Sequence, residues 1–241
     1  HFVGAYQEDH RGFQNLKKVF KWYREHSEYY ENVRSKARVA LVYSLRTIDH
    51  YAGEDHEDMY EKHFRGWYKA LSRAHIPFDI VHEDRLTNDT LKPYRVVILA
   101  NVASLSEVTV EALGKFHLNG GNLVASFETS LYDGKGRKNE DFSLGPQPGI
   151  RYSGRNLTKL FHSYMRIKLT ENFQPWPFGG KGSPLGGNSK VIELNSVLLE
   201  GFQGTALLPN NGELCLAAPI QESFAPLTLV PPYPIYPPEL A

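Results

Sequence analysis

Phe127 and Glu128 stand where an open α/β domain mounts its chemistry. The stretch Gly120-Gly121-Asn122-Leu123-Val124-Ala125-Ser126-Phe127-Glu128-Thr129 reads as a helix stop, a buried strand and a sharp exit. In α/β enzymes such an exit carries a Cys or Ser nucleophile on a strained elbow. Phe127 holds that position here, and a benzyl side chain attacks nothing, so no catalytic residue is assigned. Glu128 retains acid–base capacity. Glycoside hydrolysis needs two carboxyl groups roughly 5–10 Å apart, and Glu83 or Asp133 is the nearest candidate partner in the pattern. The same carboxylate is as well suited to capping a helix or pairing with an Arg.

Ligands of open α/β sheets sit beyond the carboxyl ends of the strands. The residues expected there are Leu45-Arg46-Thr47, His82-Glu83-Asp84, Asn101 and Glu128-Thr129-Ser130. Arg46, Thr47, Asn101, Glu128, Thr129 and Ser130 offer a guanidinium, an amide, a carboxylate and hydroxyls, a set that suits a polar ligand such as a sugar. Those residue types also cap helices and close turns, so both readings stay open. The remaining reactive residues point to less. Ten histidines are scattered without a His-Glu-x-x-His pattern, so no metal site is expected. Cys215 lies between leucines in Gly212-Glu213-Leu214-Cys215-Leu216, which reads as a small apolar residue rather than a reactive thiol. The Gly-rich run 179–187 lacks a phosphate-loop pattern, and no cofactor is expected. Trp176, between two prolines, reads as a loop aromatic available for stacking or packing.

The elements that must position these residues alternate. Residues 11–31 place Phe13, Leu16, Phe20, Tyr23 and Tyr30 on one helical stripe. Arg38-Val39-Ala40-Leu41-Val42-Tyr43-Ser44 is a continuous apolar run, as expected of a strand buried on both faces. A helix over 57–75, strands over 77–82 and 95–100, a helix over 107–118 with Ser106 as N-cap, and a fourth strand over 123–127 follow. This order predicts βαβ units and a mainly parallel, flavodoxin-like α/β sheet flanked by helices, with strand order 2-1-3-4. Residues 133–149 read as a polar excursion. Short antiparallel strands are expected over 164–169 and 191–220, with a turn at Pro209-Asn210-Asn211-Gly212.

Lys+Arg and Asp+Glu balance at 27 each, so no basic field exists to hold a phosphate backbone, and no nucleic-acid partner is expected. No apolar run approaches the roughly 20 residues of a membrane span. A single cysteine excludes an intrachain disulfide and favours a reducing, cytoplasmic setting. The chain begins at His1 without a signal-peptide pattern and ends in a proline-rich run, which reads as an excised piece of a longer protein. The expected organisation is a connector helix over 1–36, an α/β domain over 37–230 and a proline-rich tail over 231–241.

Several stretches together resemble the middle, or trimerisation, domain of family-42-type glycoside hydrolases. They are the run from Arg38 to Ser44, Gly66-Trp67-Tyr68-Lys69-Ala70-Leu71, Ile76-Pro77-Phe78-Asp79-Ile80-Val81, Tyr94 to Asn101, and Gly120 to Asp133. The resemblance implies a fold like the class I glutamine amidotransferases, in which Phe127 matches the nucleophilic Cys and no downstream His-x-Glu pair completes a triad. It further implies an upstream (β/α)8 barrel carrying the catalytic glutamates, with residues 11–31 as the connector leaving it, and contacts between subunits of a homo-oligomer, a trimer among the candidates. Ser143-Leu144-Gly145-Pro146-Gln147-Pro148-Gly149-Ile150 departs from relatives, as does the end at Ala241. Three readings follow: a non-catalytic interaction domain of a multidomain hydrolase, a saccharide-binding module using the strand-end crevice, and an amidotransferase-like hydrolase with a relocated nucleophile.

Overall fold

The computed structural model describes residues 11–145, 149–167, 200–202, 205, 207–220 and 227–230. Trp176, the Gly-rich run 179–187, residues 168–169, 191–199, 203–204 and 206 of the expected antiparallel strands, and the tail 231–241 lie outside them. The chain divides into two compact units, residues 1–36 and 37–241.

In the first unit the expected helix is shorter than 11–31. Helix α1 spans Arg11–Glu25, and a 3-10 turn over Ser27–Tyr29 follows. The break falls at His26, whose backbone is no longer helical (φ −120°, ψ 24°) and whose ring stacks on Trp22 at 4.5 Å. Trp22 and Tyr23 both meet Tyr30, with ring centroids 5.9 and 5.0 Å away. This aromatic fold-back replaces the last helical turn.

The second unit is built on a four-stranded parallel sheet of β1 (Val39–Tyr43), β2 (Phe78–His82), β3 (Val96–Leu99) and β5 (Asn122–Ala125), in the order β2-β1-β3-β5. Taken as first to fourth strands, this is the order read from the sequence. Two central strands must be apolar on both faces, and they are. Ala40, Leu41 and Val42 of β1 and Val97 and Leu99 of β3 are wholly buried. Each large aliphatic side chain so buried stabilises the fold by about 1.5–3 kcal/mol. The expected helix over 57–75 is more complex. A short helical turn α2 (Leu45–Thr47) opens the segment. Two wide π-type turns, Ile48–Ala52 and Glu57–Glu61, then lead into α3 (Lys62–Arg73). Helix α4 (Asn88–Leu91) is capped by a reciprocal Thr87–Thr90 box, and α5 (Glu107–Leu118) starts where expected, its N-cap Ser106 accepting the Thr109 N–H.

Two short parallel strands, β4 (Ser104–Leu105) and β6 (Tyr132–Asp133), extend the strand ends. The excursion after β6 is anchored, with Phe142 and Leu144 buried. Gly136 makes the anchoring possible. It has φ +77°, and a Cβ there would run into the His50 carbonyl.

The C-terminal strands are antiparallel, as expected, but long rather than short. β7 (Ile150–Ile167) runs between β8 (Leu207–Pro219) and β9 (Leu227–Val230). Pro209-Asn210-Asn211-Gly212 is not a turn. It lies inside β8, with Asn210 opposite Ser163 and Gly212 opposite Leu160. Register shifts on either side of Leu160, and another between Tyr152 and Asn156, put the extra residues on β7. Bulges break the two-residue alternation that identifies a strand, which is why 150–163 shows no strand pattern in the sequence.

Candidate functional site

The four parallel strands deliver their C-terminal ends to one place, and the elbow is built there. β5 ends at Ala125, and Phe127 then takes φ +54°, a left-handed conformation that a bulky residue rarely adopts. Asn101 (φ +50°) and Ser130 (φ +65°) share it, so the strand ends are bent sharply at three non-glycine positions. The chain thus turns sharply after β5 with an aromatic side chain at the bend. The Phe127 ring stacks on His63 of α3 at 5.6 Å and 23° between planes. Burial pushes the His63 imidazole below its usual value, with nearby Glu213 opposing.

Glu128 follows the apex and is only 4% exposed. Its Oε2 accepts from the Tyr51 hydroxyl at 2.6 Å, and its Oε1 accepts from Asn156 Nδ2 at 2.7 Å with Lys138 Nζ 3.8 Å away. Burial, reinforced by the bond to Glu128, drives the Tyr51 phenol well above its ordinary range, so Tyr51 stays a neutral donor. Lys138 lies 5.0 Å from the centroid of the Tyr152 ring, and the Tyr152 hydroxyl accepts from Nζ at 3.2 Å. The bulge of β7, with Gly154 at φ +74°, is what swings Asn156 toward this carboxylate.

The other candidates are equally engaged. Asn101 donates from Nδ2 to the Met59 carbonyl at 2.6 Å, and its Oδ1 accepts the Glu128 N–H at 3.2 Å. The Thr129 hydroxyl reaches the Leu99 and Ser126 carbonyls at 3.0 and 2.7 Å. Ser130 Oγ accepts the Leu144 N–H at 3.2 Å. Thr47, wholly buried, accepts from the Ser44 hydroxyl and the Ser104 N–H. Arg46 joins three loops. Its guanidinium donates to the Gly134 carbonyl at 3.0 Å and to Asp84 Oδ1 at 2.9 Å, while its backbone N–H reaches Glu83 Oε1 at 3.1 Å.

Both carboxylates considered as partners for Glu128 have local duties. Glu83 is buried against Arg46, and burial raises its carboxyl above the usual range. Asp133 accepts the Arg137 and Lys135 N–H groups and the Arg137 side chain, which hold its carboxyl low. Cys215 lies in β8, half-buried, and burial with Glu128 nearby pushes its thiol up to about 12. Among the described residues no cluster of three or more His, Cys, Asp or Glu side chains is arranged to hold a metal ion, and no helix is long and apolar enough to cross a membrane.

The sequence places Arg46, Thr47, Asn101, Glu128, Thr129 and Ser130 at one crevice; the structure joins Asn101 directly to Glu128, while Thr129 bonds the Leu99 and Ser126 carbonyls and Ser130 bonds Leu144. Arg46 and Thr47 belong to an adjoining cluster centred on Glu83 and Ser104. The residues missed are Tyr51, His63, Lys138 and Asn156. Tyr51 and Asn156 lie 77 and 28 positions from Glu128, and no local pattern signals such a partnership.

Comparison with known proteins adds the lineage. The β-galactosidase trimerisation domain family matches residues 37–167. Among solved structures, the β-galactosidase from Bacillus circulans sp. alkalophilus superposes with a TM-score of 0.66 at 16% identity, over 94% of this chain and 31% of its own. Gan42B, a GH42 β-galactosidase from G. stearothermophilus, gives 0.55 at 20% identity over 67% of this chain and 24% of its own. The β-galactosidase from Rahnella sp. R3 gives 0.54 at 18%, over 81% and 25%. At these identities the likeness is one of fold, and the chain spans 24–31% of each enzyme's length. No curated protein matches in sequence. Because the family match covers more than half of the 241 residues, the chain belongs to the β-galactosidase trimerisation domain family.

Proposed function

We propose that the chain is the non-catalytic oligomerisation domain of a multidomain glycoside hydrolase whose catalytic (β/α)8 barrel precedes it in the same polypeptide, with residues 1–36 as the connector. The observation that carries this reading is the filled elbow of a trimerisation-family chain. Phe127 occupies the apex. The polar groups around it, from Asn101 to Asn156, already bond one another. A site organised in that way serves rigidity: it ties β3, β5, the π-type turns and β7 into one block. The strand order and the elbow backbone support the finer description of the fold as flavodoxin-like, of the class I glutamine amidotransferase kind, with the nucleophile replaced. A saccharide in the crevice would have to displace these bonds, leaving buried polar groups to be satisfied by the ligand alone.

The test is enzymatic and hydrodynamic together. The 241-residue chain is expected to hydrolyse neither nitrophenyl glycosides nor glutamine, and to self-associate in sedimentation velocity. Glycoside turnover abolished by Glu128→Gln would overturn the non-catalytic reading, and a chain that stays monomeric at every concentration would overturn the oligomerisation reading.

A further inference from the structure

A pocket opens at the opposite end of the parallel sheet from the Phe127 bend and draws on none of the residues there. It has a volume of about 320 Å3 and lies where the loops after α4 and α5 enter β3 and β5, whose pairing starts with Val96 opposite Asn122. Cavities of roughly 300 Å3 and above are typical of small-molecule sites. The floor is aromatic and held in place. The Phe116 ring lies across Gly121, where a Cβ would come within 2.3 Å of Cε1 and Cζ, so any side chain at 121 would displace the ring. The Tyr94 hydroxyl donates to Asp79 Oδ2 at 2.9 Å, which fixes the second ring. His117 donates from Nδ1 to the Gly121 carbonyl at 3.0 Å and steadies the loop beneath Phe116. The rim is polar and asymmetric. On the α4 side stand Lys92, paired with Asp89 at 2.6 Å, and Arg95, whose side chain has no ion pair or hydrogen bond among the described residues. Arg38 donates to the Pro93 carbonyl at 2.8 Å and brings another guanidinium to the same loop. On the α5 side stand Asn119 and Gly120, at a helix end that carries partial negative charge. The Asn119 carboxamide is likewise without a partner among the described residues.

We propose that this pocket binds a six-membered ring that carries a carboxylate at one end and hydroxyls at the other. The unpaired Arg95 guanidinium matches a carboxylate through two parallel hydrogen bonds. An anion beside Asn119 would oppose the negative end of α5, so the carboxylate belongs on the Arg95 side. Uncharged hydroxyls then face Asn119, whose carboxamide both donates and accepts. Between the two ends the ring lies on Phe116 and Tyr94, which supply apolar faces. Other ligand chemistries use less of the pocket. Inorganic phosphate would satisfy Arg95 but leave the aromatic floor uncovered, and a neutral sugar would leave the guanidinium unmatched. Two sources share the chemistry that fits, a sugar acid and a phenolic acid.

The experiment titrates the 241-residue chain by calorimetry with galacturonate and with 4-hydroxybenzoate, beside galactose, which lacks the carboxylate, and benzoate, which lacks the hydroxyl. Arg95→Gln and Asn119→Ala are the variants. Both side chains are exposed and neither bonds another described residue, so each variant is expected to keep the wild-type circular dichroism and thermal midpoint. At least one of the two acids should bind, and the one that does identifies the source. Galactose or benzoate, its matched control, should bind about tenfold or more weakly, and Arg95→Gln should cost the acid about the same factor. Amide exchange over residues 92–95 and 116–121 should slow when the acid is present. An acid bound no better than its control, or bound equally by Arg95→Gln, overturns the proposal. So does exchange that slows only elsewhere in the chain, and so does the absence of heat from both acids at about 10 mM. An unchanged affinity in Asn119→Ala overturns the placing of the hydroxyls.

Discussion

Replacing Tyr51 by Phe removes one hydroxyl and leaves the ring, so it tests what that hydroxyl contributes beside Glu128. The hydroxyl donates to Glu128 Oε2 at 2.6 Å, while Asn156 and Lys138 serve Oε1. Without it Oε2 loses its donor, and with Glu128 only 4% exposed little water can replace it. A hydrogen bond to a carboxylate contributes about 1.5–3 kcal/mol, and a buried acceptor left unpaired incurs its full desolvation penalty. The ring contact with Tyr132 at 4.9 Å persists, so no cavity term is added. The expected loss is about 2–3 kcal/mol. For a domain of this size each kcal/mol lowers the midpoint by about 2–4 °C, so a fall of about 4–12 °C is expected. Urea unfolding of Tyr51→Phe beside wild type measures it, and the midpoint should drop with the slope m unchanged. A loss below about 0.5 kcal/mol would refute the reasoning, because it would mean that the Tyr51 hydroxyl does not hold Glu128 in the folded state.

The neighbouring features give two more expectations. Phe127→Ala uncovers His63, whose imidazole is held low mainly by burial. Its NMR-measured pKa should rise toward 6.5, and an unchanged value would show that the ring does not shield it. The sign for stability follows from the same shift. Wild-type His63 binds its proton less readily folded than unfolded, so its contribution is present above the unfolded value near 6.5 and is lost as pH falls through that value to the folded one. Phe127→Ala should flatten this acid-side loss. Cys215, with its thiol pushed from 9.0 to about 12, should react with iodoacetamide at pH 8 about a thousandfold more slowly in the folded chain than in urea, and comparable rates would refute the assignment of a protonated, sheltered thiol.

The amino-acid sequence by itself determined the alternation of strands and helices, because that information is local. The apolar run from Val39 to Tyr43 reads as a central strand, Ser106 reads as the N-cap of the helix that follows it, and a phenylalanine at 127 cannot be a nucleophile whatever surrounds it. Two things were decided by the tertiary structure alone. The first is the long β7–β8 pairing, which bulges hide from any reading based on alternation. The second is the fate of the polar residues at the strand ends. Their types suit a ligand as well as they suit each other, and what decides is distance, set by chain segments far apart in sequence. Tyr51 arrives on a π-type turn and Asn156 on a bulged strand. A buried polar group bonds the partner the fold holds within reach, since the penalty for having none exceeds the preference among partners. At this elbow the partners that arrive belong to the chain itself.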